Sequence, residues 1–288
     1  METTLTKFKK TRTISEVLED AFAFLQVHYL KMLKTIWTIN KIHIIFFILF
    51  GFIYYFKYSQ TIEEIFLSNN TANFGVNTIW GLVFTLFTLY VTARIYSSGY
   101  GYLKNYIENN GKVDIEYIQE YTNRKWWGYI LLSILSVILI FLGFLLLIIP
   151  GIWLIVPISL AYPVYYFEEK GVIDSLQTAI SYVSGKWWYS FGVIIILSII
   201  LLILNSIVSF PVTIYSMIKI LGAAKADGVS NAAPSGDVIF SFLTVLGVLG
   251  KFIVSIIQIP VISFLYFSLK ENKTAEGALE KIQQIGDQ

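Results

Sequence analysis

The stretch from Trp126 to Phe167 reads WWGYILLSILSVILIFLGFLLLIIPGIWLIVPISLAYPVYYF, and it decides the fold. A hydrocarbon core about 30 Å thick takes roughly 20 apolar residues in a helix. Trp126 to Ile149 meets that length and Gly151 to Phe167 falls slightly short of it. Between them only Pro150-Gly151 offers a turn, within Leu147-Ile148-Ile149-Pro150-Gly151-Ile152-Trp153. A break that tight predicts an antiparallel hairpin whose tip lies at one membrane face and whose two spans are neighbours.

On either side lie four further stretches of sufficient length: Thr38 to Tyr58, Gly75 to Tyr96, Trp187 to Ile218 and Val238 to Leu269. Together they predict an all-α, polytopic transmembrane helical bundle of about six spans. Residues 1–269 form a single transmembrane domain, with 1–37 as a cytoplasmic arm carrying an interfacial helix and 270–288 as a short cytoplasmic tail. The last two spans are long enough to tilt, kink or project from the bilayer, and Pro211 and Pro260 are the expected kink sites.

Composition agrees. Of 288 residues 56% are AVILMFWYC and 14% are charged, and the mean hydropathy is +0.67. A soluble globular chain carries about 25% charged residues, so lipid is the solvent for much of this one. The absence of cysteine excludes disulfides, a thiol nucleophile and thiolate metal sites. Two histidines, His28 and His43, leave little for imidazole chemistry. A net charge of +2 with no basic run argues against a nucleic-acid partner.

Orientation follows from lysine and arginine, which cytoplasmic loops retain. The arm has Lys7, Lys9, Lys10, Arg12, Lys31 and Lys34, and the second connection has Lys104, Lys112, Arg124 and Lys125. Lys170 and Lys186 lie in the fourth connection, and Lys270, Lys273 and Lys281 in the tail. On the opposite side the connection from Ser59 to Phe74 and the Pro150-Gly151 turn have none and the fifth connection has Lys219 and Lys225, so both termini are expected to be cytoplasmic. The arm is too polar for a signal-peptide core and is expected to be retained.

A short amphipathic segment precedes each odd-numbered span. In the first, Ile14, Val17, Leu18, Ala21, Leu25 and His28 share a face, and Thr13 with Glu16 reads as a capping box. In the third, Val172, Leu176, Ala179, Ile180 and Val183 form the stripe; the middle copy, Val113 to Thr122, is weaker. Phe24, Tyr121 and Tyr182 each stand five residues before Tyr29, Trp126 and Trp187. Tyr29, Lys125-Trp126-Trp127 and Lys186-Trp187-Trp188 then read as anchors in the headgroup layer, where an indole is partly wet and a cation meets lipid phosphate. The predicted unit is an interfacial helix, an anchor and two spans, repeated in parallel three times.

Ionisable groups inside a membrane are expensive and therefore the first places to look for chemistry. His43 and Arg94 lie near span ends, where snorkelling to the interface explains them. Lys251 lies within a long apolar run; it lines a polar cavity, binds a lipid phosphate, or marks the outer interface, which is the simpler account. Asn205 and Gln258 suit hydrogen bonds between helices. Glu168 and Glu169 are adjacent at a helix end and do not face one substrate together, so helix termination or a contact to Arg124 or Lys125 is expected. Ser97, Ser98, Gly99 and Gly101 suit close helix packing. No catalytic, cofactor-binding or metal-ligating set can be assembled from these residues.

The run Leu145 to Trp153, then Leu160-Ala161-Tyr162-Pro163-Val164, Glu168 or Glu169, Gly171-Val172-Ile173-Asp174-Ser175-Leu176 and Lys186-Trp187-Trp188 resembles a family of uncharacterised bacterial polytopic membrane proteins. That family is similar to the membrane domain attached to some glycerophosphodiester phosphodiesterases, and Leu265 to Lys270 looks like its closing span. The resemblance implies a helical fold in a bacterial cytoplasmic (inner) membrane. It implies no activity, because the soluble phosphodiesterase barrel is absent.

The expected function is therefore a non-enzymatic integral membrane protein, a lipid- or protein-interacting scaffold or membrane-organising subunit. Its partners are membrane lipids, with a membrane-protein partner or a second copy also open. The alternative is a transporter or lipid-translocating protein using Lys251, Asn205 and Gln258. A third reading is a membrane-bound enzyme using Glu168 or Asp174.

Overall fold

Thr13 starts the first helix as the capping box predicts. Its backbone N–H donates to Glu16 Oε2 at 2.7 Å, and its Oγ1 accepts from the Glu16 N–H at 3.3 Å, so two otherwise orphaned donors are satisfied. The computed structural model describes residues 8–68, 74–225 and 238–275. These form α1 (Ile14–Ser68), α2 (Phe74–Glu108), α3 (Ile115–Leu146), α4 (Ile148–Phe167), α5 (Val172–Val183), α6 (Trp187–Lys225), α7 (Val238–Ser255) and α8 (Gln258–Thr274). Among the described residues there is no strand. Six candidate spans are long and apolar enough to cross a membrane, the sixth running through α7 and α8, so the chain has the make-up of a multi-pass membrane protein.

Helix boundaries follow the breakers. The segments before the first and third spans are continuous with those spans, because no Gly or Pro interrupts α1 up to Asn40 or α3 up to Trp127. Only the third stands apart, as α5, since Gly185 adopts φ +75° between α5 and α6. For want of Gly or Pro α1 also runs past Ser59 to Ser68, while α6 runs past Ile218 to Lys225 through Gly222. Lys7, residues 69–73 and the tail from 276, with Lys281, lie outside the described residues.

The hairpin between the third and fourth spans forms, but its turn is not at Pro150-Gly151. The helix breaks at Leu147, which is extended at φ −165° and ψ 153°, and Pro150 and Gly151 occupy the first turn of α4. A proline lacks the N–H that a first turn leaves unused, so it favours starting a helix over ending one. Gly151 is then free to meet Gly143: a Cβ at Gly143 would lie 2.9 Å from Gly151 Cα, so the two helices cross backbone to backbone. Around the tip, Phe144 to Ile149 are all exposed apolar side chains, as lipid contact requires.

Pro260 works in the same way. The helix breaks at Ile256–Ile257, Ile259 N–H donates to Ile256 O at 3.1 Å, and Pro260 sits in the first turn of α8. In contrast, α6 continues through Pro211.

The chain divides into two compact units. Among the described residues, the first comprises 8–39, 93–200 and 256–275, and the second 40–68, 74–92, 201–225 and 238–255. In the first unit α4 is the hub, packed against α3, α5 and α8. Gly128 lets the Tyr165 ring approach α3, where its hydroxyl donates to Lys125 O at 3.2 Å. The small residues after Arg94 pack as expected: Ser97 and Ser98 are buried, and Gly99 faces Ile259 and Met32. The second unit is held by a cluster of rings on α1, α2 and α7, with Phe47 5.5 Å from Phe84 and 5.3 Å from Phe252. There α6 and α7 cross antiparallel, with Gly250 against Val208 and Gly247 against Val212.

Candidate functional site

The end of α4 brings two carboxylates and four cations of the first unit together. Glu168 caps the helix in an ordinary conformation and Glu169 follows at φ +54°, which sends the two adjacent carboxylates in different directions. Glu168 turns toward α5 and α8. It accepts from Tyr182 Oη at 2.7 Å and Tyr266 Oη at 2.8 Å, pairs with Lys170 Nζ at 2.7 Å, and has Lys270 Nζ at 3.8 Å. Glu169 turns toward α2 and α3, where it binds Lys104 Nζ and lies 3.6 Å from Arg124. The expected contact to Arg124 is therefore present.

Tyr121 lies between these charges. The Lys104 and Arg124 cations stand 5.3 and 5.6 Å from its ring centroid, and its hydroxyl donates to Tyr166 O. Tyr121 and Tyr182, equivalent in the sequence repeat, thus serve the two glutamates, one through its cations and one directly. The third equivalent, Phe24, packs instead on His28 and Phe264.

The electrostatics suit a staple more than a reactive pair. Burial pushes the Glu168 carboxyl up, but hydrogen bonds from Lys170, Tyr182 and Tyr266 and the charge of Lys270 outweigh it and hold it below the usual value. The hydrogen bond from Lys104 lowers Glu169; burial opposes this, and the charges of Lys104, Lys125 and Arg124 add to it. Both carboxyls are depressed in the folded state, so their stabilisation is fully present above the unfolded value of about 4.3 and is lost as pH falls through the lower folded value. The melting temperature in detergent is expected to be flat near neutrality and to fall below about pH 4.3, with a smaller fall in Glu168→Gln.

A second knot joins the arm to α8. The Arg12 side chain is fully buried, with Nε on Asp20 Oδ2 at 2.8 Å and Nη1 on the carbonyls of Phe8 and Lys10. Its N–H donates to Ser268 Oγ at 2.9 Å and its carbonyl accepts from Tyr189 Oη at 2.8 Å. In the sequence Arg12 and Lys104 are visible only as members of basic loops; the backbone of Arg12 meets Tyr189 and Ser268, and the side chain of Lys104 meets Glu169, from helices or loops distant in the chain. Arg94 likewise does not snorkel. It is buried, with Nη1 donating to Asn123 Oδ1 at 3.0 Å.

The anchors differ from one another. Trp127 and Trp188 are 60% and 78% exposed and suit the headgroup layer, while Tyr29, Trp126 and Trp187 are half-buried. Lys125 is only 8% exposed and holds its Nζ 4.8 Å from the Tyr165 ring centroid, facing the protein; Lys186 is exposed. Of the polar residues in the last spans, Asn205 and Lys251 belong to the second unit and Gln258 to the first. Lys251 is exposed on α7, and Asn205 Oδ1 is buried with no hydrogen-bond partner among the described residues. Three or more His, Asp or Glu side chains able to hold a metal ion do not gather among the described residues.

Comparison with protein-family models, curated proteins and solved structures finds no match to this chain.

Proposed function

We propose that this chain is a non-enzymatic integral membrane protein that acts by holding lipid or another membrane protein, as a scaffold or membrane-organising subunit. The bacterial cytoplasmic membrane, with both termini cytoplasmic, is the setting that the charge distribution and the family resemblance favour. One observation carries this reading. Glu168, Glu169 and Arg12, the ionisable groups gathered in the first unit, are each bonded within the chain, whereas Trp127, Trp188 and Lys186 face outward as membrane anchors. A carboxylate held ionised by three donors is a poor proton carrier and a good strut.

A transporter or lipid-translocating protein is the second reading, favoured by the buried and unpartnered Asn205 Oδ1 within a span. Reconstitution separates the two. A scaffold leaves the exchange of a fluorescent phospholipid between leaflets at the rate of protein-free vesicles, in wild type and Lys251→Leu alike. Faster exchange in wild type that falls on Lys251→Leu establishes the transporter instead. Hydrolysis of a lipid ester that is lost in Glu168→Gln rejects both.

A further inference from the structure

The first unit contains a cavity of about 500 Å³ between the start of α1, the start of α6 and the end of α8. That volume lies within the range of small-ligand sites, about 300–1,000 Å³. Its lining carries two cations, Arg12 and Lys186, and no carboxylate. Arg12 is already paired with Asp20, and the Glu16 carboxylate near Tyr189 is engaged by the Thr13 N–H and faces Lys10, which among the described residues leaves the Lys186 ammonium as the unpaired charge of the lining.

The polar lining divides into used and unused groups. Tyr189 and Ser268 are committed to Arg12. The side chains of Lys186, Ser15 and Asn272 make no hydrogen bond or ion pair among the described residues, although each is a donor. At the start of α1 the N–H groups of Thr13 and Glu16 are already taken within the capping box. Beside the donors, Leu269 and Ile14 add apolar side chains to the lining. Lys186 leads directly into Trp187 and the highly exposed Trp188, residues that belong at headgroup depth.

We propose that this cavity binds the phosphate of an anionic phospholipid headgroup, with Lys186 as the charge partner, Ser15 and Asn272 as neutral donors, and Leu269 and Ile14 against the glycerol. A lysine serves such a ligand as a point charge, and a phosphodiester has acceptor oxygens for the two further donors. The cavity exceeds what a bare phosphate ion fills, which favours a headgroup over a free ion. The assignment rests on the reading of the chain as a lipid-holding membrane protein and names the site and the lipid class.

The test uses the purified full chain in detergent with equal phosphatidylglycerol and phosphatidylcholine, and native mass spectrometry of the lipid retained. Wild type is expected to retain phosphatidylglycerol preferentially. Lys186→Gln is expected to lower that preference about fivefold, the effect of one lysine near a lipid phosphate. Asn272→Leu lowers it in the same direction, Lys186→Arg keeps it, and Lys112→Gln, a loop lysine outside the cavity, leaves it unchanged. Lys186 is exposed and unpaired among the described residues, so its variants are expected to keep the wild-type melting temperature. Adding inorganic phosphate distinguishes the sources: displacement of the lipid identifies a general phosphate site, and retention identifies a headgroup site. An unchanged preference in Lys186→Gln overturns the site but leaves lipid holding intact. No preference in wild type overturns the site, and lipid holding itself fails only if neither phosphatidylglycerol nor phosphatidylcholine is retained.

Discussion

Glu168→Ala is expected to destabilise the protein by about 3 kcal/mol, the cost of removing one partner from a buried, charge-assisted network. The side chain is 11% exposed and accepts from Tyr182 and Tyr266 while facing Lys170 and Lys270, which connects α4 to α5 and α8. Alanine removes the acceptor that Tyr182 and Tyr266 share and the carboxylate that faces Lys170 and Lys270. Glutamine keeps an acceptor but not the charge, so Glu168→Gln is expected to cost about half as much. Thermal unfolding in detergent, followed through the seven tryptophans, measures both. Equal costs for alanine and glutamine would show that packing, not charge, holds the junction. A loss below about 0.5 kcal/mol for either would place Glu168 among ordinary surface ion pairs.

Gly143→Val is expected to cost about 2–3 kcal/mol and to loosen the α3–α4 hairpin. Its first added carbon would fall 2.9 Å from Gly151 Cα and 3.1 Å from Gly151 N. Both are backbone atoms with no rotamer to retreat into, so the helices themselves must part. Gly75, where an added Cβ would meet nothing within 4 Å, is the contrast: Gly75→Ala is expected to be neutral or slightly stabilising, because alanine outranks glycine in a helix. Comparable losses at Gly143 and Gly75 would rule out close backbone contact as the reason for the hairpin's stability.

The sequence carries the spans and much of the local chemistry. Apolar runs of membrane length are a one-dimensional signal, and all six are helices long enough to cross. The Thr13–Glu16 box is equally local and forms as predicted. The turn at Leu147 was not legible, because leucine is no breaker; the position is set by Gly143 meeting Gly151 and by the preference of Pro150 for a helix start. The separateness of α5 was legible in principle from Gly185, and so was the continuity of the leading segments of α1 and α3, which carry no Gly or Pro up to Asn40 and Trp127. The glutamate network was half legible. Adjacent acids at a helix end announce themselves, but Lys104, Tyr182 and Tyr266 reach them from three other helices, and no spacing along the chain encodes that meeting. The unequal fates of Lys125 and Lys186, identical in sequence setting, depend on whether a ring such as Tyr165 stands within reach.

Between Ser136 and Ser159 the hairpin has no side-chain polar group other than the Trp153 indole, and even its break is internally bonded, with Leu147 N–H on Gly143 O at 3.1 Å. Moving this apex through hydrocarbon therefore drags no hydroxyl, amide or charge across, and exposes little unpaired backbone on the way. The paired helices can enter the bilayer together as one preformed wedge during biosynthesis, without a translocated loop to pull them from the far side.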